Sequence, residues 1–346
     1  MAYFQRDWPG GPHILLGIGS AAPGDDAAEA VEQVAVAIRA YFEAHPSRTA
    51  LSPADVSRRM ASLRKQEHRA GMEPIAPQPN NSVRLETGEP YSPFLTHDGL
   101  KAAVRAFLGA TSGFAVSWLR LVRDGRVNRQ ELCLQLMIAL AYVADPERLR
   151  PHLSFNSHAQ AFLRVRDREG ALSRAYAARY DGAAGERVRQ VLRDATRNLA
   201  SGSLTAPPRM LEFVNLLRET LADIYDGLRS GRYQPVPAAT LVGDPDRGGA
   251  VDYRRLIELL DAHPALRAWQ ITISLLYQVL NQLGMQAADR FLACYLLSRA
   301  AEDVFGEPAD RIYQNLNASG DHREMFSFFA SLDAAGAASA SVPVNR

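Results

Sequence analysis

From Thr96 onward, apolar residues recur three and four positions apart almost without a break, the period of a helix that buries one face. The spacing predicts helices over 97–109, 112–123, 128–144, 155–164, 168–178, 184–199, 209–229, 251–262, 268–284, 286–305 and 322–332. Asn128 and Asp252 mark two of these starts, since their short side chains accept hydrogen bonds from the free N–H groups of a first turn. The tail from Ala334, rich in Ala, Gly and Ser, reads as frayed.

The first third follows another pattern. Met1 to Gly19 reads as two short strands around Pro9-Gly10-Gly11-Pro12, with His13 opening the second. Val31, Val34, Ala37, Ile38 and Tyr41 carry a helix over Ala27 to about Ala44. Ser52-Pro53-Ala54-Asp55 starts another, with Ser52 as cap and Pro53 in the first turn, and it runs to about Gln66. Residues 71–93 carry five prolines and little periodicity, so they read as a loop with an edge strand at Val83-Arg84-Leu85. Segment 231–250 is a second Pro/Gly/Asp-rich loop. The expected class is α+β, predominantly helical with a small N-terminal β element. A single domain is expected over 1–333, with an α/β part to about residue 95, a helical remainder and a flexible tail over 334–346.

Composition narrows the function classes. Thirty-nine basic residues against 38 acidic ones leave a net charge of +1, which gives no reason to expect nucleic acid as a partner. Lys65 and Lys101 are the only lysines, and the arginine excess, beside abundant alanine, reflects coding bias more than recognition. Cys133 and Cys294 both fall inside apolar helical patterns and read as free buried thiols. The opening Met1-Ala-Tyr-Phe-Gln-Arg-Asp is unlike a secretory signal, and no uninterrupted apolar run reaches transmembrane length. A cytoplasmic protein without membrane contact is therefore expected.

Generic catalytic signatures are missing: no Walker loop, no G-x-G-x-x-G after a strand, no H-E-x-x-H, no C-x-x-C pair and no G-x-S-x-G elbow. The eight histidines are scattered, so neither a metal nor a cofactor is expected. What remains is polar groups set in apolar surroundings. Ser274, Tyr277 and Asn281 share one helix face, although periodicity alone favours a hydroxyl bonded to its own helix and an ordinary half-buried phenol. Ser154-Phe-Asn-Ser157-His158 is a second polar cluster at a helix start. Glu86, Glu89, His97 and Asp98 surround the proline-rich loop, where a solvated rim is the plainer reading.

Three segments carry a family resemblance. Phe4-Gln-Arg-Asp-Trp-Pro-Gly-Gly-Pro-His13-Ile-Leu-Leu-Gly17 resembles the opening of the elimination domain of lantibiotic dehydratases, an aromatic-Arg segment leading into Gly-x-His-Leu-Arg-Leu-Arg. Arg84-Leu-Glu-Thr-Gly88 followed by Phe94-Leu-Thr-His97-Asp98 resembles that domain's Arg-Tyr-Gly-Gly stretch and the helix after it. Ser274-Leu-Leu-Tyr277-Gln-Val-Leu-Asn281-Gln-Leu-Gly284 resembles its Leu-His-Met-x-x-Asn-Arg-Leu segment. The anchors come in family order and cover roughly residues 1–305. The departures matter as much. Leu15 and Gly17 stand where the family has arginines, Tyr277 where it has histidine, and Gln282 where it has arginine. Those cations help eliminate glutamate from a glutamylated Ser or Thr, so their loss argues against that reaction.

A chain with these substitutions resembles the thiopeptide pyridine synthases. The resemblance implies a cofactor-independent, lyase-like enzyme that joins two dehydroalanines of a leader-bearing, azole-containing peptide in a formal [4+2] aza-cycloaddition. Water and the leader are lost as the macrocycle closes. Tyr277 is then expected as hydrogen-bond donor or acid, with Ser274 beside it and His158 or His13 moving protons. Asn281, Gln278, Ser157, Arg6, Arg84 and Glu86 are expected to bind substrate, Arg6 and Arg84 toward the leader. Partners would be the dehydrated precursor peptide and other enzymes of the pathway. The alternatives are a glutamate-eliminating subunit of a split dehydratase, a non-catalytic leader-binding subunit, and an unrelated helical scaffold.

Overall fold

The computed structural model describes residues 2–7, 13–18, 26–47, 52–66, 79–86, 98–167, 169–203, 207–239, 253–319 and 325–340. Two compact units emerge, one of Met1–Ser92 with Leu108–Ser112, the other of Pro93–Phe107 with Gly113–Arg346.

In the first unit, β1 (Ala2–Asp7) pairs antiparallel with β2 (His13–Ile18), in a register running from Ala2 opposite Ile18 to Asp7 opposite His13. His13 opens the second strand as its position suggests. The Pro9–Pro12 turn lies outside the described residues. Tyr3 faces Gly17 across the ladder, and its ring occupies the space a Cβ at position 17 would need, 2.3 Å away. The unit also holds α1 (Asp26–Ala44) and α2 (Pro53–Gln66). Ser52 Oγ accepts from Asp55 N at 3.1 Å, the capping bond its sequence predicts. The edge strand expected at Val83-Arg84-Leu85 does not form. Among the described residues they have no ladder partner; Val83 is half-buried, Arg84 and Leu85 are exposed, and Arg84 pairs locally with Glu86 at 2.9 Å.

The second unit is helical throughout its described residues. Its elements are α3 (Asp98–Arg123), α4 (Arg129–Ala144), α5 (His152–Arg166), α6 (Ala171–Asp181), α7 (Ala183–Ser201), α8 (Met210–Arg229), α9 (Tyr253–Ala262), α10 (Pro264–Gln282), α11 (Ala287–Phe305), α12 (Ala309–Ser319) and α13 (Ser327–Ala340). Two predicted helices fuse into α3. The Gly109-to-Gly113 stretch that suggested a break stays helical, because Thr111 and Ser112 bond back to the Leu108 carbonyl and both are buried. By length and composition Leu100–Arg123 is long and apolar enough to cross a membrane, although Lys101, Arg105 and Arg120 interrupt its apolar run. Val104, Phe107, Phe114, Ala115 and Trp118 on it are buried, which makes it a core helix. The short helix α12 was not foreseen, and α13 continues helical past Ala334.

α4 and α10 are buried on almost every side, while α7 and α8 are amphipathic and cover them. Asn128 caps α4, its side chain accepting from Glu131 N at 3.1 Å. Start signals at α10 come from Pro264 in the first turn. That helix ends in a tight reversal: Gly284, at φ +80°, donates to Asn281 O at 2.9 Å, and Met285 N donates to Leu280 O at 3.0 Å. The turn Leu283–Gln286 sends α11 back, packed on α5, α6 and α7.

Close approach is tightest where α6 meets α7. A Cβ on Gly185 would stand 1.7 Å from the Tyr180 carbonyl oxygen, whereas one on the exposed helical Gly113 would meet nothing within 4 Å. Gly185→Ala is expected to cost about 1–3 kcal/mol through overpacking. Gly113→Ala is expected to gain about 0.5–1 kcal/mol through helix propensity. Thermal melts of the two variants should therefore move in opposite directions.

Candidate active site

Four helices of the second unit converge on a half-buried cluster of polar and aromatic side chains. α5 presents Ser154, Ser157, His158 and Phe162; α10 presents Trp269, Ser274 and Tyr277; α11 adds Arg290, Phe291 and Cys294; α12 adds Tyr313. Periods of three and four residues put Ser154, Ser157, His158 and Phe162 near one side of α5.

His158 and Tyr277 meet at the centre. Nδ1 of the imidazole lies 2.6 Å from the phenol oxygen, a short and well-formed hydrogen bond. Burial first, and the nearby Arg290 guanidinium second, push the imidazole down to about 4, so it is neutral at pH 7. Burial likewise pushes the Tyr277 phenol well above its usual value, with Cys294 adding to the rise. Cys294 Sγ lies 3.4 Å from the same oxygen, and burial raises its thiol to about 11. Three protonated or neutral groups thus stand in a line. The 2.6 Å contact fits either direction: the phenol donates to Nδ1 in one tautomer, and Nδ1–H donates to the phenol in the other.

The surrounding contacts hold this line. Trp269 Nε1 donates to Ser154 Oγ at 2.6 Å, tying α10 to α5 one turn before His158. His152 Nδ1 and Ser298 Oγ are 3.2 Å apart and link α5 to α11. Ser157 Oγ donates to Leu153 O at 2.9 Å and also contacts the Tyr313 hydroxyl. Phe162 and Phe291 stack with centroids 4.4 Å apart and planes 16° apart. The Arg290 guanidinium sits over the Tyr277 ring at 4.7 Å and the Phe291 ring at 5.0 Å.

The sequence candidates divide between the units. Tyr277 and His158 come together, with Ser157 adjacent on α5. Ser274, one turn before Tyr277, donates to Gln270 O at 2.9 Å, the ordinary backbone bond. Gln278 and Asn281 are half-buried on α10. His13 and Arg6 are exposed on the hairpin of the first unit, and Arg84 and Glu86 form their ion pair there. Glu89 and His97 lie outside the described residues. Among the described residues no group of three or more His, Cys, Asp or Glu is placed to hold a metal. Sequence reasoning missed Arg290 and treated Cys294 as plain core. The available signal was a cation in the first turn of an apolar helix, 13 residues beyond Tyr277 across a glycine reversal.

With this geometry in place the relationships can be stated. Residues 1–301 match the family described as "Lantibiotic biosynthesis dehydratase C-term", and the chain belongs to that family. The fold is similar to that of the solved "Pyridine synthase, TbtD, from thiomuracin biosynthesis", with TM-score 0.64, 23% identity and 88% of each chain covered. It is also similar to TsrL, with TM-score 0.59, 18% identity, and 90% of this chain and 87% of that one covered. No curated protein matches the chain.

The buried imidazoles make stability depend on pH. His152 and His158 are both lowered from the ordinary 6.5 to about 4 by burial. Between those values the unfolded chain holds protons that the folded protein excludes, so acid favours unfolding across that window. Each histidine contributes up to about 3 kcal/mol to this loss. Urea midpoints are expected to fall as pH drops from 6.5 toward 4, with a shallower slope in His158→Gln; a slope unchanged in that variant would show that His158 titrates normally.

Proposed function

We propose that this protein is a pyridine synthase of thiopeptide maturation, acting on a leader-bearing, azole-containing peptide with two dehydroalanines. The observation that carries the reading is the neutral His158–Tyr277 pair, 2.6 Å apart, on the elimination-domain fold. It stands with a second fact: Leu15, Gly17 and Gln282 occupy the places of family arginines, and Gln282 is fully buried. At position 17 the Tyr3 ring fills the space an arginine would need. The similarity of fold to a pyridine synthase supports the same reading.

In the proposed reaction, the amide preceding one dehydroalanine passes to its imidic-acid tautomer, which creates a C=C–N=C azadiene. The C=C of the second dehydroalanine adds across its ends. Two carbon–carbon bonds form and no atom is lost in that step. Water then leaves from the former amide carbon, and the leader leaves as a carboxamide, which aromatises the ring. No oxidant enters the balance.

The neutral pair suits the tautomerisation. His158 Nε2 takes the amide proton, Nδ1–H passes a proton to the phenol, and Tyr277 gives its own proton to the amide oxygen. Every group begins and ends uncharged, which matters where burial opposes both an imidazolium and a phenolate. The N–H and C=O of a trans amide point to opposite edges, so the two ends of the relay must bracket it. Ser274, its proton held by Gln270 O, serves as an acceptor, and Gln278, Asn281 and Ser157 contact the core peptide. Positioning the two dehydroalanines supplies much of the remaining rate, up to about 7–11 kcal/mol in ideal intramolecular systems.

The first unit holds the leader in this reading. Ile14 and Leu16 are exposed on one face of β2, and strand addition there, with Arg6 and Arg84 at hand, fits an extended acidic peptide. His13, exposed on the same strand, serves the leader end rather than the ring-forming step. The compartment is taken to be the cytoplasm, with the other enzymes of peptide maturation as partners.

A second reading, elimination of glutamate from a glutamylated peptide, draws on one observation: Arg290 supplies a cation beside Tyr277. Mass spectrometry separates the two. Without added cofactor, the purified protein should convert the dehydrated azole peptide to a smaller cyclic product and free leader carboxamide. Tyr277→Phe and His158→Gln should each slow this by about 100-fold or more, and the double variant little further, because one relay is broken in both. Ser274→Ala should cost less than about 10-fold, losing a single acceptor. An unchanged azole peptide alongside glutamate release from a glutamylated one would overturn the pyridine reading.

A further inference from the structure

Among the described residues the Arg290 guanidinium meets no polar group. It belongs to a half-buried side chain, and its Nε is fully buried without a hydrogen-bond acceptor. Among the described residues the guanidinium makes no hydrogen bond and no ion pair, and its contacts are the π faces of Tyr277 and Phe291. Several arginines of this unit behave differently: Arg187, Arg189, Arg209, Arg229 and Arg232 each meet a carboxylate. Leaving a buried donor unsatisfied is costly, and such a group calls for an explanation.

Its surroundings supply one. The guanidinium is a planar fork of donors, well matched to an oxygen with two lone pairs. Here the guanidinium carbon lies over two aromatic rings, and among the described residues no carboxylate takes up its donors. Phe162 and Phe291, stacked at 4.4 Å and both half-exposed, form an aromatic platform beside it. A platform of that kind takes a flat ring, and a fork next to it takes an oxygen attached to that ring. The His158–Tyr277 pair lies against the same guanidinium.

We infer that Arg290 is a substrate-binding residue that grips the oxygen of an azole-carboxamide, with the azole ring seated against Phe162 and Phe291. This rests on the pyridine-synthase reading and names the piece of substrate that the site holds. The guanidinium polarises the carbonyl that Tyr277 and His158 tautomerise, and later favours departure of that oxygen as water. A fixed cation in a partly water-excluded site needs no reorganisation when charge builds on the oxygen. The carboxylate of a glutamyl group is the other oxygen ligand a guanidinium would accept, and the experiment separates the two.

The test is a binding titration that does not require turnover. A short, leader-free thiazole-carboxamide peptide is added to wild-type protein, Arg290→Gln and Arg290→Lys, with arginine Nε–H signals and melting temperatures followed together. The Arg290 Nε–H, identified by its absence from the variants, should shift on addition of the peptide. Affinity should fall about 10- to 100-fold in Arg290→Gln and be partly restored in Arg290→Lys, with all three proteins folded. Equal affinity in wild type and Arg290→Gln, or no binding to wild type, overturns the inference. So does a dependence on Arg290 seen only with a glutamylated peptide. Arg290-dependent binding of the azole peptide with no cyclic product from the full substrate would sustain this assignment while removing the pyridine-forming reading.

Discussion

A neutral imidazole and a neutral phenol, held 2.6 Å apart between α5 and α10, are the constraint on which the site depends. Neither group is free to take a charge at ordinary pH, because burial opposes the imidazolium at one end and the phenolate at the other. Proton movement there must be paired, one proton in for one proton out. The pair persists because its supports are tied independently: Trp269 to Ser154, His152 to Ser298, and the glycine reversal at Gly284 that returns α11 beside α10. Each support fixes a helix rather than the His158 and Tyr277 side chains themselves, which are both half-buried.

The same physics accounts for what the family pattern lacks here. A site that handled a glutamyl carboxylate would profit from several cations near the reacting carbon. In the first unit a glycine lies under the Tyr3 ring at position 17 with Leu15 on the same strand, and in the second unit Gln282 is a buried amide. Arg290 is a cation that the cluster does hold, and it lies over aromatic faces instead of against a counter-charge. Around Tyr277 the second unit thus offers a stacked pair of phenylalanine rings and one guanidinium.

Much of the fold was legible in the chain, and for identifiable reasons. Helical periodicity located most helices, and the caps at Ser52 and Asn128 form as their side chains dictate. The errors lie where local signals compete with burial. The boundary predicted between 109 and 112 is absent; the helix runs through, with Thr111 and Ser112 bonding to the Leu108 carbonyl. Val83-Arg84-Leu85 has strand-forming residues but no ladder partner among the described residues, and Arg84 and Leu85 are exposed. Of the site, Tyr277 and His158 were nameable separately, yet nothing in a 119-residue separation announces that they touch. Ser274 was named for its place on the Tyr277 face, and its proton goes to the helix backbone, the outcome periodicity favoured. Arg290 and the Phe162–Phe291 stack arise from packing between helices, which no single segment encodes.

The most direct test of this account is the protonation state of His158, read from two-bond proton–nitrogen NMR correlations and assigned against His158→Gln. The account predicts a neutral ring at pH 7 with Nδ1 hydrogen-bonded, its titration delayed to about pH 4. A ring already cationic near neutral pH, or one whose Nδ1 signals are indifferent to Tyr277→Phe, would contradict it.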